Sequence, residues 1–161
     1  MAVVTIFSAS YCSGQQIARG VAQKLGYRFV DEQFLEDVSS TSGVPADRLR
    51  RAMYGPPGFF EGFTRDRVKN VARIREAFAQ LIAGDNLVYL GFAGQLIPRT
   101  VTHALKVCLI ANRDHRIQRA SQTSGVPPEQ AVEVIRKDDE QCLQWTRYLF
   151  EVASWDESLY D

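Results

Sequence analysis

Ser8-Ala9-Ser10-Tyr11-Cys12-Ser13-Gly14 is a run of small and polar residues whose pattern suits one kind of chemistry, the holding of an anion. Ala2-Val3-Val4-Thr5-Ile6-Phe7 precedes it and reads as a strand. Gln15-Gln16-Ile17-Ala18-Arg19 follows it and runs as a helix to Leu25. A buried strand that ends in a tight loop at a helix N-terminus is where α/β proteins hold phosphate. The first helical N–H groups lack intrahelical partners, and the helix dipole favours negative charge there. The usual sequence is Gly-x-x-x-x-Gly-Lys-[Ser/Thr]. The frame is present in this chain and the lysine is not. Ser10, Cys12, Ser13, Gly14, Gln15 and Gln16 are the candidate phosphate-binding residues. The loop is either a working phosphotransfer site or the shell of one.

Other residues that suit such a site are spread along the chain. Asp31 ends a short apolar segment, and its carboxylate suits a ligand contact or the cap of a following helix. Gly91 opens the turn Gly91-Phe92-Ala93-Gly94. Arg116, Arg119, Arg136, Lys137 and Arg147 offer cations for a phosphate, or an ordinary charged surface. Arg99, just after Pro98, is a lesser candidate of the same kind. His103 and His115 have no carboxylate or cysteine at ligand spacing, and no Ser-His-Asp arrangement is readable. Cys12, Cys108 and Cys142 share no Cys-x-x-Cys spacing, so no metal site is expected. So sparse a set of cysteines suits the reducing cytoplasm. Cys108 reads as core. Cys12 reads as incidental, or as a reactive thiol near a helix N-terminus.

The elements that must position these residues follow from breakers and periodicity. The first helix ends at Gly26, and Tyr27-Arg28-Phe29-Val30 is a second strand. Residues 32–41 form a helix with Phe34, Leu35 and Val38 on its apolar face. Thr41-Ser42-Gly43-Val44-Pro45 recurs as Thr123-Ser124-Gly125-Val126-Pro127. The repeat is read as shared punctuation, with Gly stopping one helix and Pro opening the next. Residues 54–63 read as a loop, aromatic enough to cover a cleft or to tuck into the core. Thr64 to Ala83 reads as one helix with Val68, Val71, Ala72, Arg75, Phe78, Ala79 and Ile82 on the inward period, Arg75 being a polar intrusion. Arg65, Arg67, Lys69 and Arg73 then form a solvated face. Leu87–Leu90 and Leu105–Ile110 are strands, and 114–122, 128–137 and 139–153 are helices. Strands alternating with helices imply a parallel sheet covered on both faces, with ligands beyond its carboxyl edge.

The chain has 161 residues, 45% of them hydrophobic and 24% charged, and its formal net charge is zero. That suits a single soluble domain. A balanced charge argues against nucleic-acid binding, and no apolar run reaches the length of a membrane helix.

This layout resembles the P-loop nucleoside monophosphate kinases and, more narrowly, the cytidylate kinase-like family. The resemblance rests on Ile17-Ala18-Arg19, Lys24-Leu25-Gly26-Tyr27, Phe29 and Asp31. It continues through Leu90-Gly91 with Ala93, Arg116-Ile117 with Arg119, and Lys137 to Asp139. Arg147-Tyr148, Trp155 and Leu159-Tyr160-Asp161 complete it. It implies a three-layer α/β fold with a helical lid, a single domain over residues 1–161, and phosphoryl transfer from ATP with Mg2+ to an acceptor such as CMP. Arg116, Arg119 and Arg147 become the catalytic cations. Residues 13–16 cradle the donor phosphates, and Asp31 fixes the acceptor. Family members continue past Tyr160-Asp161 into a fifth strand, so an open sheet edge and a homodimer are expected.

The chain departs from that family where cations matter. By position, the lysine and the magnesium-holding hydroxyl fall at Gly14 and Gln16. Gln15 stands where an arginine is expected, Phe92 replaces the arginine after Gly91, and Cys142 replaces a lid arginine. A transition-state arginine is worth about 1,000-fold or more in rate. Two functions therefore stand side by side: a divergent kinase, and a non-catalytic pseudo-kinase that serves as a regulatory, nucleotide-sensing or dimerisation module.

Overall fold

The computed structural model describes residues 2–55 and 61–161. β1 (Val3–Ser8) is apolar and almost wholly buried. It lies inside a parallel sheet of order β2-β3-β1-β4, with β2 at Arg28–Val30, β3 at Leu87–Leu90 and β4 at Ala104–Leu109. Val3 pairs with Leu87 on one side and Ala104 on the other, so the sheet's centre is Val3–Ile6 with Leu87–Leu90. Strands buried on both faces read as continuous apolar runs, which Val3-Val4-Thr5-Ile6-Phe7 and Leu87-Val88-Tyr89-Leu90 do.

Alternation along the strands sends side chains to two separate cores. On one face Val4, Ile6 and Val88 meet Ala18 and Ala22 of α1 (Gly14–Leu25). Two alanines at i and i+4 let that helix lie close to the sheet. On the other face Val3, Leu87 and Tyr89 meet α2 (Phe34–Ser42), α3 (Ala46–Tyr54), α4 (Glu61–Ile82) and Trp145 of α6 (Pro128–Phe150). The last helix, α5 (Arg113–Ser124), packs on α6. Layers of helix, sheet and helix result, as expected.

The repeated motif does what its residues dictate. Gly43 and Gly125 end α2 and α5 at φ 69° and 62°, and Pro45 and Pro127 stand immediately before α3 and α6.

Three expectations about elements need correction. The helices expected at 128–137 and 139–153 are one, Pro128–Phe150. No Gly or Pro interrupts it, and Asp139 is tied to Arg116 by a two-pronged ion pair at 2.7 and 2.8 Å. The expected loop at 54–63 is shorter. Tyr54 closes α3 and Glu61 opens α4, while Pro56–Phe60 lie outside the described residues.

The inward stripe of α4 is also displaced. Val68 is 56% exposed, and Arg67 is 7% exposed. Arg67 donates through Nε to the Ala52 carbonyl at 3.0 Å, and its guanidinium lies 4.3 Å from the Tyr148 ring centre. A planar cation can bury itself against aromatic faces where an ammonium would not.

At the outer edge of β4 the Asp161 N–H donates to the Lys106 carbonyl at 3.0 Å, and the Lys106 N–H donates to Asp161 Oδ2 at 2.8 Å. No helix among the described residues is long and apolar enough to cross a membrane.

α6 ends on Glu151 at φ 61°, a left-handed position occupied by a residue with a Cβ. Glu151→Gly is expected to raise unfolding free energy by about 1 kcal/mol, read as a higher denaturant midpoint at an unchanged m-value.

Candidate functional site

The loop after β1 curls back on itself at the carboxyl edge of the sheet. The Cys12 N–H donates to the Ala9 carbonyl at 3.3 Å, and Ala9 N–H is held by Leu109 O at 2.9 Å. Tyr11 and Ser13 both stand at positive φ, 61° and 59°. Non-glycine residues hold that conformation only where surrounding contacts enforce it, and such residues cluster at ligand sites. Ser13 precedes α1 without capping it, and the first helical N–H to bond back is that of Ile17, to Ser13 O at 2.9 Å. The N–H groups of Gly14, Gln15 and Gln16 therefore stand at the open end of the helix.

Gly14 is a packing requirement. A Cβ built there would lie 2.5 Å from both Cβ and Oγ of Ser8. The lysine expected by position at Gly14 has no room. The α1 side chain that reaches the cleft is instead Gln15, one residue later. Its amide lies between Asp31 and Arg19. Nε2 is 3.4 Å from Asp31 Oδ2, and with the amide turned over its oxygen accepts from Arg19 Nε and Nη2 at 3.1 and 2.9 Å.

Asp31 stands on the cleft wall, two residues ahead of Gln33, which holds the N-cap position of α2. Its Oδ1 accepts the Gln33 N–H at 3.1 Å, ordering the turn into α2, while its Oδ2 faces Gln15 and stands 3.9 Å from Arg19. Together with Gly91 these residues line a cleft of about 510 Å3. Its other walls are Phe7, Ser8, Ala9, Glu32, Gln33, Arg50, Leu90 and Phe92. Glu32 accepts a hydrogen bond from the Tyr54 hydroxyl. Burial pushes its carboxyl above the usual carboxylate range, against the pull of Tyr54 and Arg50 and with a push from Asp31. The Arg50 guanidinium is held by Glu36 at 2.5 Å and Asp47 at 3.3 Å.

The loop itself is clamped by Arg116. Nε donates to the Ser10 carbonyl and Nη2 to the Ser10 hydroxyl, both at 2.9 Å. The same guanidinium takes Asp139 two-pronged, and only 8% of its side chain is exposed. Arg119 donates to Ser13 Oγ at 3.0 Å, at the lip of the loop. Burial raises the Asp138 carboxyl as well, offset by a hydrogen bond from Ser10. Two acidic groups thus stand beneath the loop.

The remaining expected residues fall elsewhere. Arg136 is paired to Glu133 at 2.7 Å and to Glu140 on its own exposed helix face, and Lys137 lies 3.7 Å from Glu133. Neither faces the loop. Arg147 lines a second cleft of about 680 Å3, with Arg113, Arg116 and Trp155 among its walls. Arg99 bonds the Ser158 carbonyl. Cys12 is 8% exposed, its thiol faces the Ser10 carbonyl at 3.7 Å, and desolvation pushes it up, so it is no thiolate. Gln16 is exposed on α1.

Sequence reasoning missed Glu32, Gln33, Arg50 and the Phe7–Phe92 wall, whose ring centres are 4.8 Å apart. Glu32 and Gln33 were recoverable, because they follow Asp31 beyond the end of a parallel strand. Arg50 carried no such signal; α3 brings it to the cleft through tertiary packing.

For ATP, the residues present match the phosphates at the open end of α1 and at Arg119. For magnesium they fit only in part: Asp31 and Glu32 put carboxylates on the cleft wall beside the open end of α1, while the position expected to supply a hydroxyl does not. The ion needs one or two carboxylates beside the substrate phosphates. Gln16 offers only an exposed amide, and Asp139 is taken by Arg116. Among the described residues, no three His, Cys, Asp or Glu side chains are grouped to hold a metal.

Residues 3–161 match the family described as the cytidylate kinase-like family. Among solved structures, an uncharacterized protein from Eubacterium ventriosum aligns at TM-score 0.70 and 14% identity, over 100% of this chain and 85% of the other. Shikimate kinase from Acinetobacter baumannii in complex with shikimate aligns at 0.47 and 14%, over 87% and 76%. A gluconokinase from Sinorhizobium meliloti aligns at 0.48 and 14%, over 85% and 74%. No curated protein matches. The parallel sheet, the loop beyond β1 and the family match together identify a P-loop kinase-like fold.

Two substitutions test the geometry. Gly14→Ala is expected to cost about 1–3 kcal/mol through overpacking, and Ser8→Gly in the same chain to return most of it, measured by urea unfolding. Asp139→Ala leaves the Arg116 charge without its carboxylate and is expected to cost about 3 kcal/mol, with the largest loss of amide-exchange protection in residues 8–14.

Proposed function

The chain belongs to the cytidylate kinase-like family, and from that premise we propose a pseudo-kinase, a nucleotide-sensing module on the kinase fold. The observation that carries this reading is Gln15. It is an uncharged side chain where α1 enters the cleft, and its amide bonds Asp31 in one orientation and Arg19 when turned over. Phosphoryl transfer runs on positioning and on cations that meet developing negative charge. Here the Arg116 charge is consumed by Asp139, that of Arg50 by Glu36 and Asp47, and that of Arg136 by Glu133 and Glu140. Backbone N–H groups at the start of α1 do not depend on any side chain. They support binding of a nucleotide phosphate without fast transfer. Self-association along the outer edge of β4 belongs to this reading, as the way a module without turnover acts on a partner.

A second reading has one observation in its favour. Arg119 reaches Ser13 Oγ at the lip of the loop, where a cation would meet the phosphates of ATP. On that reading the chain transfers phosphate from ATP to CMP or a similar acceptor, with Arg116 and Arg147 brought in by movement of α5 and α6.

Calorimetry with ATP, with and without magnesium, separates the two when paired with an ADP-release assay. The expected result is weak ATP binding, little affected by magnesium, and no ADP formed in the presence of CMP. Turnover near the ~1–100 s⁻¹ of working kinases would establish the second reading. Gln15→Arg is expected to tighten ATP binding about tenfold by adding a charge-assisted contact, without restoring turnover.

A further inference from the structure

We infer that the cleft between α1, β3 and the β2–α2 turn takes an uncharged, hydroxyl-rich ligand with an apolar face, a nucleoside or a sugar, and not a nucleoside monophosphate. The inference rests on the nucleotide-sensing reading and names the second ligand of that site.

Its first support is the charge of the walls. Among the described residues, the cleft of about 510 Å3 is lined by two carboxylates, Asp31 and Glu32, and by a single cation, Arg50. The Arg50 guanidinium is already bracketed by Glu36 and Asp47. Arg19, outside the wall, stands 3.9 Å from Asp31. On the wall itself, one already paired guanidinium stands against two carboxylates. A phosphate monoester entering here meets an excess of negative charge in a partly desolvated space, where repulsion is stronger than in water.

Its second support is what the walls do offer. Gln15 and Gln33 present amides and Asp31 and Glu32 present carboxylates. All of these can accept from hydroxyl groups, and the amides can donate. Phe92 stands across the cleft from them, packed on Phe7 at 4.8 Å between ring centres. A cleft whose walls carry both aromatic rings and hydrogen-bond acceptors suits a ligand with one apolar face and several hydroxyls. The space lies within the range of small-molecule pockets, and Gln15 and Gly14 place it directly beside the open end of α1.

Cytidine, ribose, glucose and CMP, titrated separately by calorimetry into the full chain at low salt, test this. Cytidine or one of the sugars is expected to bind at least about tenfold tighter than CMP. Which of them binds tells nucleoside from sugar. Raising ionic strength should improve CMP binding by screening the repulsion, and leave the neutral ligand unchanged. This needs no variant. Asp31→Asn keeps the turn contact to Gln33, and Glu32→Gln keeps an acceptor for Tyr54. Each should narrow the gap between the neutral ligand and CMP to about threefold. The inference is overturned if CMP binds as well as or better than its nucleoside, if salt weakens CMP binding, or if no neutral ligand binds. ATP titrated alongside keeps the two readings apart. CMP preferred with ATP still bound sinks only this inference, while ATP unbound with cytidine bound sinks only the nucleotide-sensing reading.

Discussion

Arg116 joins three segments that are far apart in sequence. From α5 it reaches Ser10 in the loop after β1 through two hydrogen bonds, and Asp139 in the middle of α6 through two more. A guanidinium almost wholly removed from water must have its charge answered and its N–H groups paired. The arrangement meets both demands and fixes the loop's curvature in doing so. Tyr11 and Ser13, held at positive φ, lie directly beside the clamped residue. The same contact keeps α6 unbroken past Lys137-Asp138-Asp139, since Asp139 must sit at a helical position to present both oxygens. The loop, the lid-side helices and the sheet edge depend on one charge in one place.

That dependence carries a functional consequence. A cation used to hold the architecture is not available to a phosphate, because its attraction is spent on a carboxylate a bond length away. Arg50 and Arg136 repeat the pattern on other elements. Yet backbone donors at the start of α1 survive any change of side chain, and so does the dipole behind them. Losing side-chain cations from a phosphate loop therefore removes transition-state stabilisation far more than it removes ground-state binding. A chain can stop catalysing while it still recognises.

The parts of the fold readable from sequence were those whose cause is local. β3 was bounded correctly because an apolar run of four between Asn86 and Gly91 has few other structures open to it. Gly43 with Pro45, and Gly125 with Pro127, marked helix ends because backbone conformation is decided within a few residues. β1, its loop and α1 were recognisable as a unit for the same reason. What failed had a distant cause. Arg67 turned inward, against the periodicity of α4, because Tyr148 and Trp145 from α6 offer it aromatic faces. The break expected at residue 138 does not occur, and Asp139 finds its partner, Arg116, on α5. In the site, Asp31 and Gly91 were placed by the rule that parallel strands point their carboxyl ends at ligands. Arg50 escaped because no local pattern distinguishes it from Arg48 or Arg51. Cys12 misled in the opposite direction, since nearness to a helix N-terminus says nothing about desolvation.

Gly14 shows how a missing residue can be misassigned when only order is visible. In sequence it reads as a lysine lost. In space it is a glycine required, because Ser8 occupies the volume any side chain would need. The loop therefore departs from the working pattern at Gln15, where an amide beside Asp31 and Arg19 faces the cleft. An amide that can satisfy itself on a carboxylate or, turned over, on a guanidinium has partners in the absence of any ligand, whereas a lysine there would gain most when a phosphate arrived. On the proposed reading, the chain has exchanged a group that gains its energy from substrate for one that gains it from the protein itself, and that exchange is what would separate a binding fold from a catalytic one.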